Sequence, residues 1–205
     1  MLRVGLTGSI GVGKTFVTSV LAELGCRVLD ADRTAREVVA AGSAGLRAVT
    51  EAFGTEILQP DGTLDRTRLG AIVFADEEKR LLLNSILHPF IIAAQDERLQ
   101  EWEAEDASGI AVIDAALMIE SGGYKRFDKL IVVYCDRETQ VTRLMARNRI
   151  TREDAERRIN AQMSSEEKRR YADYEIDTSG TFEEARRRVI SVYQQLLRDQ
   201  QARAD

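Results

Sequence analysis

Eight residues near the start of the chain, Gly8-Ser9-Ile10-Gly11-Val12-Gly13-Lys14-Thr15, constrain its fold more than any other stretch. They read G-x-x-x-x-G-K-[ST] without a departure. Before them lies Leu2-Arg3-Val4-Gly5-Leu6-Thr7, short and mostly apolar, which reads as a buried strand. After them Val17, Val20, Leu21 and Leu24 recur at helical spacing. Strand, glycine-rich loop and helix together make an anion-binding loop. Glycines let the backbone wrap an anion and turn successive N–H groups inward, and the helix N-terminus adds its positive end. In this pattern Lys14 reaches outer phosphates, and the Thr15 hydroxyl is placed for Mg²⁺. A chance glycine-rich turn is the bland alternative, and the spacing and context both speak against it.

Further strands follow the same logic. Gly25 reads as the stop of the first helix. Cys26-Arg27-Val28-Leu29-Asp30 is a second short strand, ending in Asp30-Ala31-Asp32, with a helix expected from about Arg33. In open α/β sheets ligands bind at the carboxyl ends of strands, so this pair of carboxylates is expected on the loop's rim. The competing reading makes one of them only the cap of the next helix. Ile110-Ala111-Val112-Ile113-Asp114 resembles a Walker B strand, whose Asp helps to hold Mg²⁺ in this superfold. Leu130 to Cys135 is a near-continuous apolar run, the mark of a parallel strand buried on both faces. Tyr174 to Asp177 is a fifth strand, and an amphipathic helix from Phe182 closes the chain, with a polar tail expected to fray after Arg198.

Two segments fall outside this minimal frame. Residues 34–58 and 65–105 read as helical, separated by a turn at Asp61-Gly62. Pro89 suits the first turn of a new helix, which puts the sole histidine, His88, in a break between helices. About 75 residues between Asp32 and Ile110 are too many for a simple crossover, so this stretch is an inserted helical subdomain. The second segment, residues 136–170, holds ten basic and seven acidic side chains, a local +3 in a chain of net charge −5. Arg143 and Arg147, one helical turn apart, are candidates to meet phosphates there; a salt-bridged helical face is the alternative.

Bulk properties exclude several classes. The acidic balance argues against general nucleic-acid binding. No apolar run approaches the roughly 18 residues of a membrane helix. No leader is expected, because the first strand runs straight into the loop. Two distant cysteines, Cys26 and Cys135, form no zinc or CxxC pattern and suit a reducing, cytoplasmic setting. The 205 residues suit one domain carrying an insert.

Taken together, these motifs resemble one family, the dephospho-coenzyme A kinases, over nearly the whole chain. The resemblance rests on Gly5-Leu6-Thr7-Gly8 with the loop, Asp30-Ala31-Asp32, Phe53-Gly54, Asp61-Gly62, Leu64-Asp65-Arg66, Val73-Phe74 and His88-Pro89. It continues through Leu117-Met118-Ile119-Glu120, Gln140 to Leu144 with Arg147 and Arg149, Gln162-Met163, Lys168 and Ala172-Asp173. It departs at Ala116, where the family usually has Pro, and at Thr178, where it usually has Asn. The resemblance implies an α/β fold: a five-stranded parallel sheet of the P-loop kinase type. The core would be 1–33, 107–136 and 171–205, the helical acceptor-binding insert about 34–106, and the helical lid about 137–170. It implies transfer of a phosphoryl group from ATP, with Mg²⁺, to the ribose 3′-hydroxyl of dephospho-coenzyme A. Gly8, Gly11, Val12, Gly13, Lys14, Thr15, Phe16 and Arg143 would bind the nucleotide, with Thr15 on the metal. Asp32, Lys14 and Arg147 would be catalytic, and Asp32, Arg36, His88 and Glu120 would bind the acceptor. No obligatory protein partner is expected.

Two other readings stand beside it. One is a different small P-loop kinase, for a nucleotide or a small alcohol. The other is a nucleotide-switch GTPase, which normally carries an Asn-Lys-x-Asp stretch that this chain lacks.

Overall fold

In the computed structural model, which describes residues 1–204, the chain forms two compact units, one from Met1–Leu29 and from Trp102 onward, the other Asp30–Glu101. The first unit is built on β1 (Leu2–Thr7), α1 (Lys14–Glu23) and β2 (Arg27–Asp30), the last of which reaches the unit boundary. The second contains α2 (Ala31–Glu37), α3 (Ala44–Phe53), α4 (Arg66–Ala75) and most of α5 (Glu77–Glu105). The chain then returns through β3 (Ile110–Asp114), β4 (Lys129–Tyr134), α6 (Arg137–Asn148), α7 (Arg152–Asn160), α8 (Ser165–Arg169), β5 (Tyr174–Asp177) and α9 (Phe182–Ala204).

The five strands make one parallel sheet, as the sequence led us to expect, and their order is β2-β3-β1-β4-β5. β1 is central: Leu6 is in register with Asp114 of β3 on one side and with Ile131 of β4 on the other. Alternate strand residues face one core. Leu2, Val4 and Leu6, with Val112, Ile131, Val133 and Ile176, meet Val17, Val20 and Leu21 of α1 and Val189, Val192 and Leu196 of α9. Each such side chain, when fully buried, contributes about 1.5–3 kcal/mol. The Asp30–Glu101 unit has a separate core of Val39, Leu46, Val49, Ile57 and Leu69, with Leu83, Ile86 and Leu87 packed against it.

Several helix boundaries differ from the sequence reading, each for a local reason. The first helix of the insert starts at Ala31, not near Arg33, because Asp30 caps it by accepting hydrogen bonds from the Asp32 and Arg33 amides. The expected helix over 34–58 is broken twice. Gly42, at φ 79°, precedes Ser43, whose hydroxyl caps α3, and Gly54, at φ 86°, ends that helix. The 65–105 stretch divides at Asp76, not at Pro89. α5 runs through the proline without interruption, so His88 does not occupy a break. Pro89 removes one backbone hydrogen bond, but Ser85, four residues earlier, and Pro89 are both exposed, and water can serve the freed carbonyl. At the other end, α9 continues past Arg198 to Ala204.

Candidate active site

The phosphate loop, residues 8–13, is fixed by contacts from far along the chain. Gly8 has no room for a side chain: a Cβ there would lie 2.4 Å from the Val133 carbonyl oxygen. Gly13, at φ 85°, turns the chain into α1 and caps it with no side-chain bond, so the first-turn amides are not taken up by a cap. Val12 is fully buried against the sheet. The Ser9 hydroxyl donates to the Met163 carbonyl at 2.9 Å, and the Ile10 amide donates to the Gln162 side-chain carbonyl at 2.8 Å. The Gln140 side-chain amide donates to the Ile10 carbonyl at 2.6 Å. The Ile10 side chain itself packs against the cluster of Val141, Leu144, Ala155 and Ile159, which forms the interior between α6 and α7. Loop and basic segment therefore share one small core.

On the carboxylate side, the Lys14 ammonium lies 3.6 Å from Asp114 at the end of β3. Two residues on, the Ala116 carbonyl accepts from the Thr7 hydroxyl at 3.1 Å and from the Lys168 ammonium at 2.6 Å. The departure at 116 thus leaves the backbone group in use and changes only the side chain. Lys168 is fully buried and also donates to Glu120, 2.9 Å from one carboxylate oxygen and 3.0 Å from the other. Burial pushes the Lys168 ammonium below its ordinary pKa, and the Glu120 carboxylate pulls it the other way.

Opposite lies the second departure, Thr178, buried just after β5. Its hydroxyl is 2.7 Å from the Val12 carbonyl and 3.2 Å from the Tyr134 carbonyl, joining the phosphate loop to the strand ends. Arg143 donates to the same hydroxyl at 3.1 Å and to the Thr178 carbonyl at 2.7 Å. Its guanidinium would come 3.6 Å from a Cβ at Gly13. Phe16 packs at a tilt against Phe182, ring centres 5.1 Å apart. Thr15 is exposed in the first turn of α1. Arg147 is exposed in the last turn of α6, and its side chain donates to Asn148. The two cysteines are buried free thiols; burial pushes Cys26 up to about 12 and Cys135 up to about 11.

The structure therefore brings together Gly8, Gly11, Val12, Gly13, Lys14 and Arg143, and links Glu120 to them through Lys168 and Ala116. Asp32, Arg36 and His88 belong to the other unit. Asp32 is exposed in the first turn of α2, and only its amide is engaged by the Asp30 cap. Arg36 is exposed near the end of α2, its carbonyl accepting from Arg66 at 3.3 Å. His88 is exposed on α5.

The family model for dephospho-CoA kinases matches residues 2–184 of this chain. The chain belongs to the dephospho-CoA kinase family. A dephospho-CoA kinase of Geobacter metallireducens is 46% identical over 197 residues, which is 96% of this chain and 98% of that one. One from Streptomyces avermitilis is 45% identical over 197 residues, covering 96% and 95%. Among solved structures, a Thermus thermophilus protein superposes with a TM-score of 0.81 at 31% identity, covering 95% of this chain and 97% of its own. The dephospho-CoA kinase from Campylobacter jejuni gives 0.73 at 28%, covering 96% and 98%. A shikimate kinase from Acinetobacter baumannii, with a TM-score of 0.52 at 20% identity, shares the fold.

For a dephospho-CoA kinase family member, sequence reasoning overlooked the residues that hold the loop. Gln140, Gln162 and Lys168 stood among the motif residues but carried no assigned role. The two glutamines meet the loop across 152 and 130 residues, and Lys168 meets Ala116 and Glu120 across 52 and 48, so no local pattern reports these contacts.

Proposed function

We propose that the chain transfers the γ-phosphoryl group of ATP to the ribose 3′-hydroxyl of dephospho-coenzyme A, releasing ADP and coenzyme A. The observation that carries this reading is the family match over residues 2–184 on a chain whose phosphate loop is intact. Phosphoryl transfer needs little covalent help from protein and much positioning and charge neutralisation. The loop amides and Lys14 bind the outer phosphates; Lys14 exchanges its contact with Asp114 for the nucleotide. Arg143, held beside Gly13 by Thr178, neutralises charge on the nucleotide side. Arg147 reaches the transferring group when the lid, about residues 137–170, closes. Asp32 takes or orients the proton of the acceptor hydroxyl, while Arg36, His88 and Glu120 hold the rest of the acceptor.

Thr15 would hold the Mg²⁺ that accompanies ATP, and that ion would neutralise charge building on the phosphates. The donor set fits. Mg²⁺ keeps waters and substrate oxygens and needs few protein ligands. Thr15 offers an exposed hydroxyl, and no cluster of three or more His, Cys, Asp or Glu forms a cage among the described residues. The buried free thiols suit a reducing, cytoplasmic setting. No helix among the described residues is long and apolar enough to cross a membrane.

The test is a coupled ADP-release assay with ATP, offering dephospho-coenzyme A, AMP, adenosine and shikimate in parallel. Dephospho-coenzyme A is expected to exceed the others in kcat/KM by a wide margin. Equal turnover of AMP or adenosine would move the chain to a general nucleotide kinase.

A further inference from the structure

Among the described residues, Lys168 is the one charged side chain buried from solvent altogether. Desolvating an ammonium in such a place is costly, and its pairing with a carboxylate is often no gain in stability over an apolar replacement. An apolar side chain of similar volume would often serve the core as well or better. What an ammonium adds is hydrogen-bonding capacity: three donors on one nitrogen, which can serve three acceptors at once. Here they reach both oxygens of Glu120 and the Ala116 carbonyl.

Those acceptors lie on one short segment with a carboxylate at each end. Asp114 opens it, 3.6 Å from Lys14, and Glu120 closes it, with its side chain partly open to solvent. In the middle, the Ala116 carbonyl is shared between Lys168 and Thr7, the last residue of β1 before the phosphate loop. Lys168 also follows closely on Gln162 and Met163, which grip the loop at Ile10 and Ser9. One stretch, residues 162–168, therefore holds two things at once: the backbone that cradles phosphate and the segment that presents the carboxylates.

We propose that Lys168 is a positioning residue for phosphoryl transfer, holding the 114–120 segment, and Glu120 in particular, in register with the phosphate loop. This rests on the phosphotransfer reading above for its catalytic consequence, and on geometry alone for its structural one. Lys168 touches no substrate; it acts through Glu120 and through the Ala116 backbone.

The test is Lys168→Met, which keeps an unbranched side chain one atom shorter and removes the cation. Amide hydrogen exchange at residues 116–121 is expected to rise about tenfold or more, with exchange in the β3 and β4 strands unchanged. The kcat with dephospho-coenzyme A is expected to fall about tenfold to a hundredfold, as misplacement of a supporting group does. The KM for ATP stays within about twofold, because the loop amides and Lys14 are untouched. Lys168→Arg, which retains a cation, recovers part of the lost kcat. Exchange at 116–121 identical to that of the parent protein overturns the proposal, as does a drop in kcat accounted for by the unfolded fraction alone. Should the Met variant not fold, Lys168→Gln, which keeps one donor, is measured in the same way. Failure of the parent protein to use dephospho-coenzyme A would overturn the functional reading separately, and the exchange measurement would still decide the role of Lys168.

Discussion

Ile10 of the phosphate loop is held at its amide, at its carbonyl and along its side chain, by residues 130 or more positions away. Asp32 of the Asp30–Glu101 unit is held at its amide by a neighbour two residues back, and its carboxylate is exposed. The two regions carry the two halves of the proposed chemistry under opposite constraints. The loop's shape is over-determined, as an anion cradle that must not collapse when empty requires. The insert's site residues are lightly held surface groups on helices whose own cores lie elsewhere in the unit. Substitutions at the loop should therefore disturb both stability and activity, whereas substitutions at the insert should disturb activity with stability almost untouched.

The sharpest way to break this contrast is Asp32→Asn. We expect kcat to fall about 10²–10⁴-fold, as for loss of a general base, with ATP affinity by calorimetry near that of the parent and thermal stability unchanged. ATP affinity lost in step with turnover would instead make Asp32 a nucleotide or metal ligand. Next comes Lys14→Ala, where removal of one charge aimed at the transferring group should cost about 10²–10³-fold in kcat, with the circular-dichroism spectrum preserved. Thr178→Val sharpens the loop side. It keeps the branched shape but takes the hydroxyl from Val12 and Arg143, and should lower stability by about 1–3 kcal/mol in urea titration and turnover about tenfold. The smallest effect is expected at His88→Ala. The kcat/KM for dephospho-coenzyme A should drop a few-fold, that for ATP should hold, and stability should stay within about 0.5 kcal/mol, as for an exposed site. A large loss of stability there would show His88 to be structural and would erase the contrast.

The same contrast explains what could be read from the chain without coordinates. The sheet was legible because its strands are short apolar runs with strong punctuation: Gly8 to Thr15 after β1, Asp114 at the end of β3, and the unbroken Leu130 to Cys135 run. Helix limits in the insert were less so. Periodicity marked the right residues as apolar, but the breaks are set by single caps, such as Ser43 and Asp76, and by Gly42 and Gly54. Pro89 misled because α5 runs straight through it, at an exposed position where water can serve the freed carbonyl. In the site, residues whose chemistry is carried by the motif itself were visible. Gln140, Gln162, Thr178 and Lys168 act through backbone groups distant in sequence, and no local spacing reports such contacts.

The order in which the chain is made runs against the order in which the phosphate loop can be finished. β1 and the loop leave the ribosome before the segments that support them: β1 pairs with β3 and β4 on either side, and the loop waits for Gln162, Met163 and Thr178. At the usual 5–20 residues per second, that delay is roughly 10–30 seconds. For that interval the emerging chain carries a glycine-rich segment with none of its distant supports and an apolar strand with no neighbours. The cradle settles only once β5 and Thr178 have emerged, so a truncated product ending before β5 would lack the Thr178 tie on Val12.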